Sequence, residues 1–178
     1  MNEICAFELK ADFEPKPSSR PLDPEAECDL SPMSVAMDRF EHRYFYSTVV
    51  MKARGHEDLM ELAFEVAYAL DQLPGWLANL MGSEKRAGLI FGAQGSEREL
   101  VAERHGEIIR YWFRSFGSTG GDSPRSEAPA RVFLRAWTAL GGRLMEELVA
   151  LTPELEKDPE FLTLRAEFGK LKRCFTGC

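Results

Sequence analysis

The chain has 178 residues, of which 44% are hydrophobic and 29% charged. That composition supports one core of ordinary size and makes a single domain the expectation. Its formal net charge of −7 is concentrated: residues 1 to 31 hold eight acids against three bases, and residues 56 to 82 hold five acids with no Lys or Arg. Such a balance argues against nucleic acid or an anionic membrane as the ligand, because phosphate recognition rests on clustered cations, and it suits a basic protein partner instead. No run of about 18 apolar residues is present to span a bilayer. The segment MNEICAFELK also has acids where a secretory leader has bases, so a cytoplasmic location is expected. Cys5, Cys28, Cys174 and Cys178 read as free thiols, since a domain of this size needs no covalent staples.

In chain order, Phe7, Leu9, Ala11 and Phe13 alternate with Glu8, Lys10, Asp12 and Glu14, the period-two signature of a half-buried strand within residues 1–14. Residues 15–31 form a Pro-rich acidic linker, through which neither a helix nor a central strand can run. The remainder, 32–178, is expected to be one helical domain. Ser31-Pro32 resembles an N-cap followed by a first-turn proline, and Met33, Met37, Phe40, Tyr44, Thr48 and Met51 continue at helical spacing toward Gly55. Residues 44–51 are also rich in aromatic and β-branched side chains and read equally as a strand.

Between His56 and Leu73 the positions Leu59, Leu62, Ala63, Val66, Ala67, Leu70 and Leu73 predict an amphipathic helix. Pro74-Gly75 breaks or kinks it before a short piece, Trp76 to Met81. Leu89-Ile90-Phe91 is a short strand or a buried loop. From Ser96, the face Val101, His105, Ile108, Ile109, Trp112, Phe113 and Phe116 predicts a further helix, with Glu97 and Glu99 early and Arg110 and Arg114 late, as the helix dipole favours. Phe133 to Leu151 forms another stripe interrupted by Gly141-Gly142, and Asp158-Pro159 opens the last helix, whose seam is Phe161, Leu164, Phe168, Leu171 and Phe175. The fold class predicted is mainly α: about five packed helices, a helical bundle, with a short N-terminal β element.

Chemistry-bearing motifs are sparse. No Glu has a His three positions on, and no HExxH is present, which leaves di-iron and zinc-protease chemistry without ligands. Gly92-Ala93-Gln94-Gly95-Ser96 lacks the Lys of a phosphate-cradling loop, and Glu97 and Glu99 already occupy the helix start with negative charge. The four cysteines lack two short-spaced pairs, so neither metal nor cofactor is expected.

His105 is the one weak catalytic candidate. On the apolar face of its predicted helix it reads as a core histidine, or as the base of a pocket shared with Trp112 and Trp137 in a small enzyme or ligand-binding bundle. The stronger reading is a non-catalytic interaction module such as an adaptor, a neutralising partner or a chaperone-like subunit. Its predicted partner-binding residues are Glu57, Asp58, Glu61, Phe64, Glu65 and Tyr68, on one helical ridge opposite Leu59, Val66 and Leu70. Like charges stacked one turn apart repel, and aromatic side chains rimmed by charge have the composition of a binding surface. The alternative is that these acids pair internally with Arg39, Arg43, Lys52 or Arg54.

Overall fold

The computed structural model describes residues 7–19, 30–53, 55–82, 86–92, 97–116 and 121–176. It corrects the expected helical bundle. The protein is mixed α/β: among the described residues, two antiparallel sheets ordered β1-β2-β3 and β4-β5-β6-β7 pack on four α-helices.

β1 (Phe7–Ala11) pairs with β2 (Thr48–Ala53), and β2 with β3 (His56–Glu61). The predicted alternation of β1 holds: Phe7, Leu9 and Ala11 pack against the core, while Glu8 and Lys10 are exposed. Between β1 and β2 lies α1 (Pro32–Arg43), where the Ser31 hydroxyl accepts the Ser34 N–H and Pro32 occupies the first turn. The helix stops at Arg43, and of the two readings of residues 44–51 the strand applies from Thr48 onward.

The predicted helix from His56 to Leu73 divides. Its first six residues are β3, with His56, Asp58 and Met60 on the inner face, while Leu59 is 56% exposed. Leu62–Ala67 then forms a π-helix, a wide turn that often marks a functional position. α2 (Leu73–Met81) begins at the Pro-Gly read as a breaker, since a proline costs nothing in a first turn, where its missing N–H has no partner anyway. The helical stripe is real from Leu62 onward: Leu62, Ala63, Val66, Ala67, Leu70 and Leu73 are all buried.

The second sheet begins with β4 (Arg86–Phe91), so of the two readings of Leu89-Ile90-Phe91 the strand applies; β5 (Arg98–His105) and β6 (Ile108–Ser115) then replace the helix expected from Ser96, and β7 (Ser126–Pro129) completes the sheet. β5 and β6 are a hairpin whose turn carries Gly106 at φ 64°, a left-handed conformation that favours glycine. Leu100, Ala102, Ile109, Tyr111 and Phe113 face the core. Val101 and Trp112 lie on the opposite face and are nonetheless buried, Trp112 beneath the guanidiniums of Arg86 and Arg125 at 5.4 and 4.6 Å. Residues on both faces of a β-ribbon were therefore buried, and this mimicked a one-sided helical stripe.

α3 (Ala130–Leu151) is the central helix, with Phe133 stacked among Phe7, Trp76 and Tyr111, and Trp137 against Trp76. After a 3₁₀ turn (Pro153–Lys157), α4 (Pro159–Thr176) packs its predicted seam onto α3. Its first turn is capped by the Asp158 carboxylate accepting the Phe161 N–H at 2.8 Å. Gly141 lets the two helices close: a Cβ there would fall inside the Phe168 ring. Gly142, with nothing within 4 Å, instead opens a groove of about 430 Å³ lined by Met145, Val149, Phe161, Phe168 and Gly169, with Glu146, Glu156, Arg165 and Lys172 at its rim.

Candidate functional site

The six residues predicted to share an acidic ridge are not on one helix face. Glu57 lies on the outer face of β3 and pairs with Lys52 across the strands at 2.7 Å, one of the internal pairings foreseen. Asp58 points inward, 3.2 Å from His56 Nε2. Burial is the main influence on its carboxyl, raising its pKa above the ordinary Asp range against the opposing pull of His56 and Arg98.

Glu65, expected in solvent, is 2% exposed. Both its oxygens accept from Arg98 at the start of β5, Nε to Oε1 at 2.6 Å and Nη2 to Oε2 at 2.7 Å. The bidentate fork suits a guanidinium facing a carboxylate and is the strong form of such a bond. Glu65 Oε2 also accepts the Glu61 N–H, Arg98 Nη2 donates to the Leu59 carbonyl, and the Arg98 guanidinium lies 4.5 Å above the Phe113 ring. The pair thus joins the π-helix, the outer edge of β3 and the second sheet. The like-charge cost read from the sequence is offset here by a cation from 33 residues away.

Phe64 meets an aromatic pair outside the predicted set, and Tyr68 follows it one turn on. Phe45 and Tyr46, in the turn after α1, stack edge to face at 4.8 Å and 73°, and Phe45 meets Phe64 at 5.1 Å and 89°. Tyr68 lies four positions beyond Phe64 and donates its hydroxyl to Glu41 Oε2 at 3.2 Å. Burial, followed by Glu41 and Asp38, raises its phenol pKa above the ordinary value, which brings both acids of α1 close to this ring. Tyr46 is 63% and Tyr68 51% exposed. Glu61 and Asp71 are exposed on the same segment. Among the described residues no Lys or Arg forms an ion pair with Asp38, Glu41, Glu61 or Asp71. Two arginines of α1 have partners of their own, Arg39 donating to the Leu151 carbonyl and Arg43 to the Tyr44 hydroxyl. The legible signal was the run Tyr44-Phe45-Tyr46: three consecutive rings cannot share one buried face, and only Tyr44 is in the core.

His105 is not a core residue. It ends β5 at the hairpin turn, with an exposed side chain 3.6 Å from Glu103. Trp112 lies on the outer face of its sheet and Trp137 inside the core, so the three residues of the predicted pocket stand apart. Tyr111 is a different matter. Its ring is buried, its hydroxyl has no hydrogen-bond partner although Ser126 faces it, and burial lifts its pKa far above the ordinary value.

Among the described residues no three His, Cys, Asp or Glu side chains cluster as metal ligands, and no helix is long and apolar enough to cross a membrane. Cys174 is an exposed thiol; Cys5, Cys28 and Cys178, like Arg54 and residues 93–96 of the glycine-containing loop, lie outside the described residues. Comparison with family models, curated proteins and solved structures gave no match.

Proposed function

We propose that the protein is a non-catalytic interaction module that docks a basic protein on the surface formed by Phe45, Tyr46, Phe64 and Tyr68. The observation that carries this reading is the pair of exposed tyrosine rings, Tyr46 and Tyr68, with Glu41 and Asp38 beside Tyr68 and no ion pair from a described Lys or Arg on those acids. Exposed aromatic side chains contribute large contact area at little entropic cost, and tyrosine is enriched among residues that dominate binding energy. Uncompensated carboxylates around them steer a cationic partner and select against an anionic one. The anchor is rigid, because Glu65, within the π-helix that holds Phe64, is clasped by Arg98.

Photo-cross-linking residues placed at Tyr46 and Tyr68, with Leu162 on α4 as an exposed control, test the proposal. A basic polypeptide trapped from both patch positions, and not from Leu162, is the expected result. Equal trapping at all three, or trapping of acidic partners, refutes it.

A further inference from the structure

The proposed docking surface holds two of the three exposed aromatic side chains among the described residues, Tyr46 and Tyr68. Five rings elsewhere, from the buried Tyr44 to the exposed Phe116, lie under the protein's own guanidiniums: Arg143 over Phe13, Arg43 over Tyr44, Arg86 and Arg125 over Trp112, Arg98 over Phe113 and Arg114 over Phe116, all between 4.5 and 5.7 Å from the ring centres. Phe45, Tyr46, Phe64 and Tyr68 have no such cover among the described residues, although Tyr46 and Tyr68 are more exposed than any of those five rings. Phe45 stands nearly perpendicular to both Tyr46 and Phe64, so the cluster presents ring faces in more than one direction. Beside the Tyr68 ring stands the Glu41 carboxylate, held by the Tyr68 hydroxyl through Oε2, with Asp38 close by.

Resting on the docking reading above, we infer that this surface recognises an arginine of the partner, whose guanidinium stacks on Tyr68 while its N–H groups reach Glu41 and Asp38. A planar guanidinium satisfies both requirements at once. It stacks on a ring through its face and donates to carboxylates through its edge. A lysine ammonium is a compact, strongly hydrated charge that must give up its water shell to do either. Arg98 already shows the combination inside this protein, stacked on Phe113 while donating to Glu65. The patch has the same two components, aromatic face and carboxylate, without the cation.

Tetra-arginine amide and tetra-lysine amide, equal in charge, provide the test. Each is titrated into the full chain while the Tyr46 and Tyr68 ring signals are followed by NMR. The expected result is saturable shifts of both rings, with arginine binding at least fivefold tighter than lysine. That preference should vanish in Tyr46→Ala/Tyr68→Ala and survive in Tyr68→Phe; both residues are exposed, and an unchanged amide spectrum verifies that the variants fold. Equal affinity for the two peptides overturns the inference, as does a preference that survives the double alanine variant. The docking reading fails separately. Should cross-linking at Tyr46 trap a basic protein whose affinity is unchanged when its contacting arginines become lysines, docking stands and guanidinium selectivity falls.

Discussion

Arg98→Ala isolates the buried clasp. It leaves Glu65, 2% exposed, without its bidentate cation and removes the donor to the Leu59 carbonyl. Removing one partner of a buried ion pair typically costs about 3–5 kcal/mol, because the remaining charge is desolvated and unpaired. For a chain of this length each kcal/mol lowers Tm by about 2–4 °C, so a fall of roughly 6–20 °C is expected. Urea unfolding followed by circular dichroism, with the slope compared between variants, measures the loss directly. The double variant Glu65→Leu/Arg98→Met leaves no buried charge and should be less destabilised than Arg98→Ala, whereas additive effects are expected only of independent sites. A cost below about 1 kcal/mol for Arg98→Ala, or strict additivity in the cycle formed with the single variants Glu65→Leu and Arg98→Met, refutes the argument that this pair is the tie between the sheets.

Two adjacent glycines should respond oppositely. Gly141→Ala drives a Cβ into the Phe168 ring and should cost about 1–3 kcal/mol, with Phe168→Leu restoring part of it. Gly142→Ala meets nothing within 4 Å in mid-helix and should stabilise by about 0.5–1 kcal/mol, both read from urea midpoints. Tyr111→Phe removes a buried hydroxyl that lacks a partner, so calorimetry should show no loss of stability. Since the native phenol pKa is raised, the unfolded state releases its proton first. The parent should therefore lose stability above about pH 10, and the Phe variant should lack that component. The carboxyl of Asp58 is likewise raised, so its penalty is absent where both states are protonated, grows as pH climbs above about 3.8 and levels off beyond the native value. Asp58→Asn should show a stability advantage that increases over that window, measured by urea titration at several pH values.

How much of this was legible depends on what each residue pattern could distinguish. β1, the Ser31 cap, the start of α4 at Asp158-Pro159 and its apolar seam follow from local rules, and the structure has them where those rules put them. The β5–β6 hairpin reads as a helix because Trp112, under two arginine side chains, and Val101 are buried on a face that should be polar, which erases the alternation. Gly106 between β-branched and aromatic runs was the sign of a turn. In the candidate site, Phe64 and Tyr68 belong to the proposed surface and Glu61 is exposed, whereas Glu57, Asp58 and Glu65 are committed to Lys52, His56 and Arg98. No local pattern announces a partner 33 residues away, so the burial of Glu65 could be read only once the sheets were placed side by side.

β3 is the outer strand of its sheet, and such a strand is a template on which another chain can continue the ladder. Here two of its outward main-chain groups, the Glu61 N–H and the Leu59 carbonyl, are occupied by Glu65 and Arg98. Side chains acting as a surrogate neighbouring strand deny that stretch to amyloid growth and to strand exchange between copies. They also exclude β-augmentation there as a mode of recognition. The same substitution that loosens the clasp bares the edge, so Arg98→Ala protein should self-associate at concentrations where the parent does not.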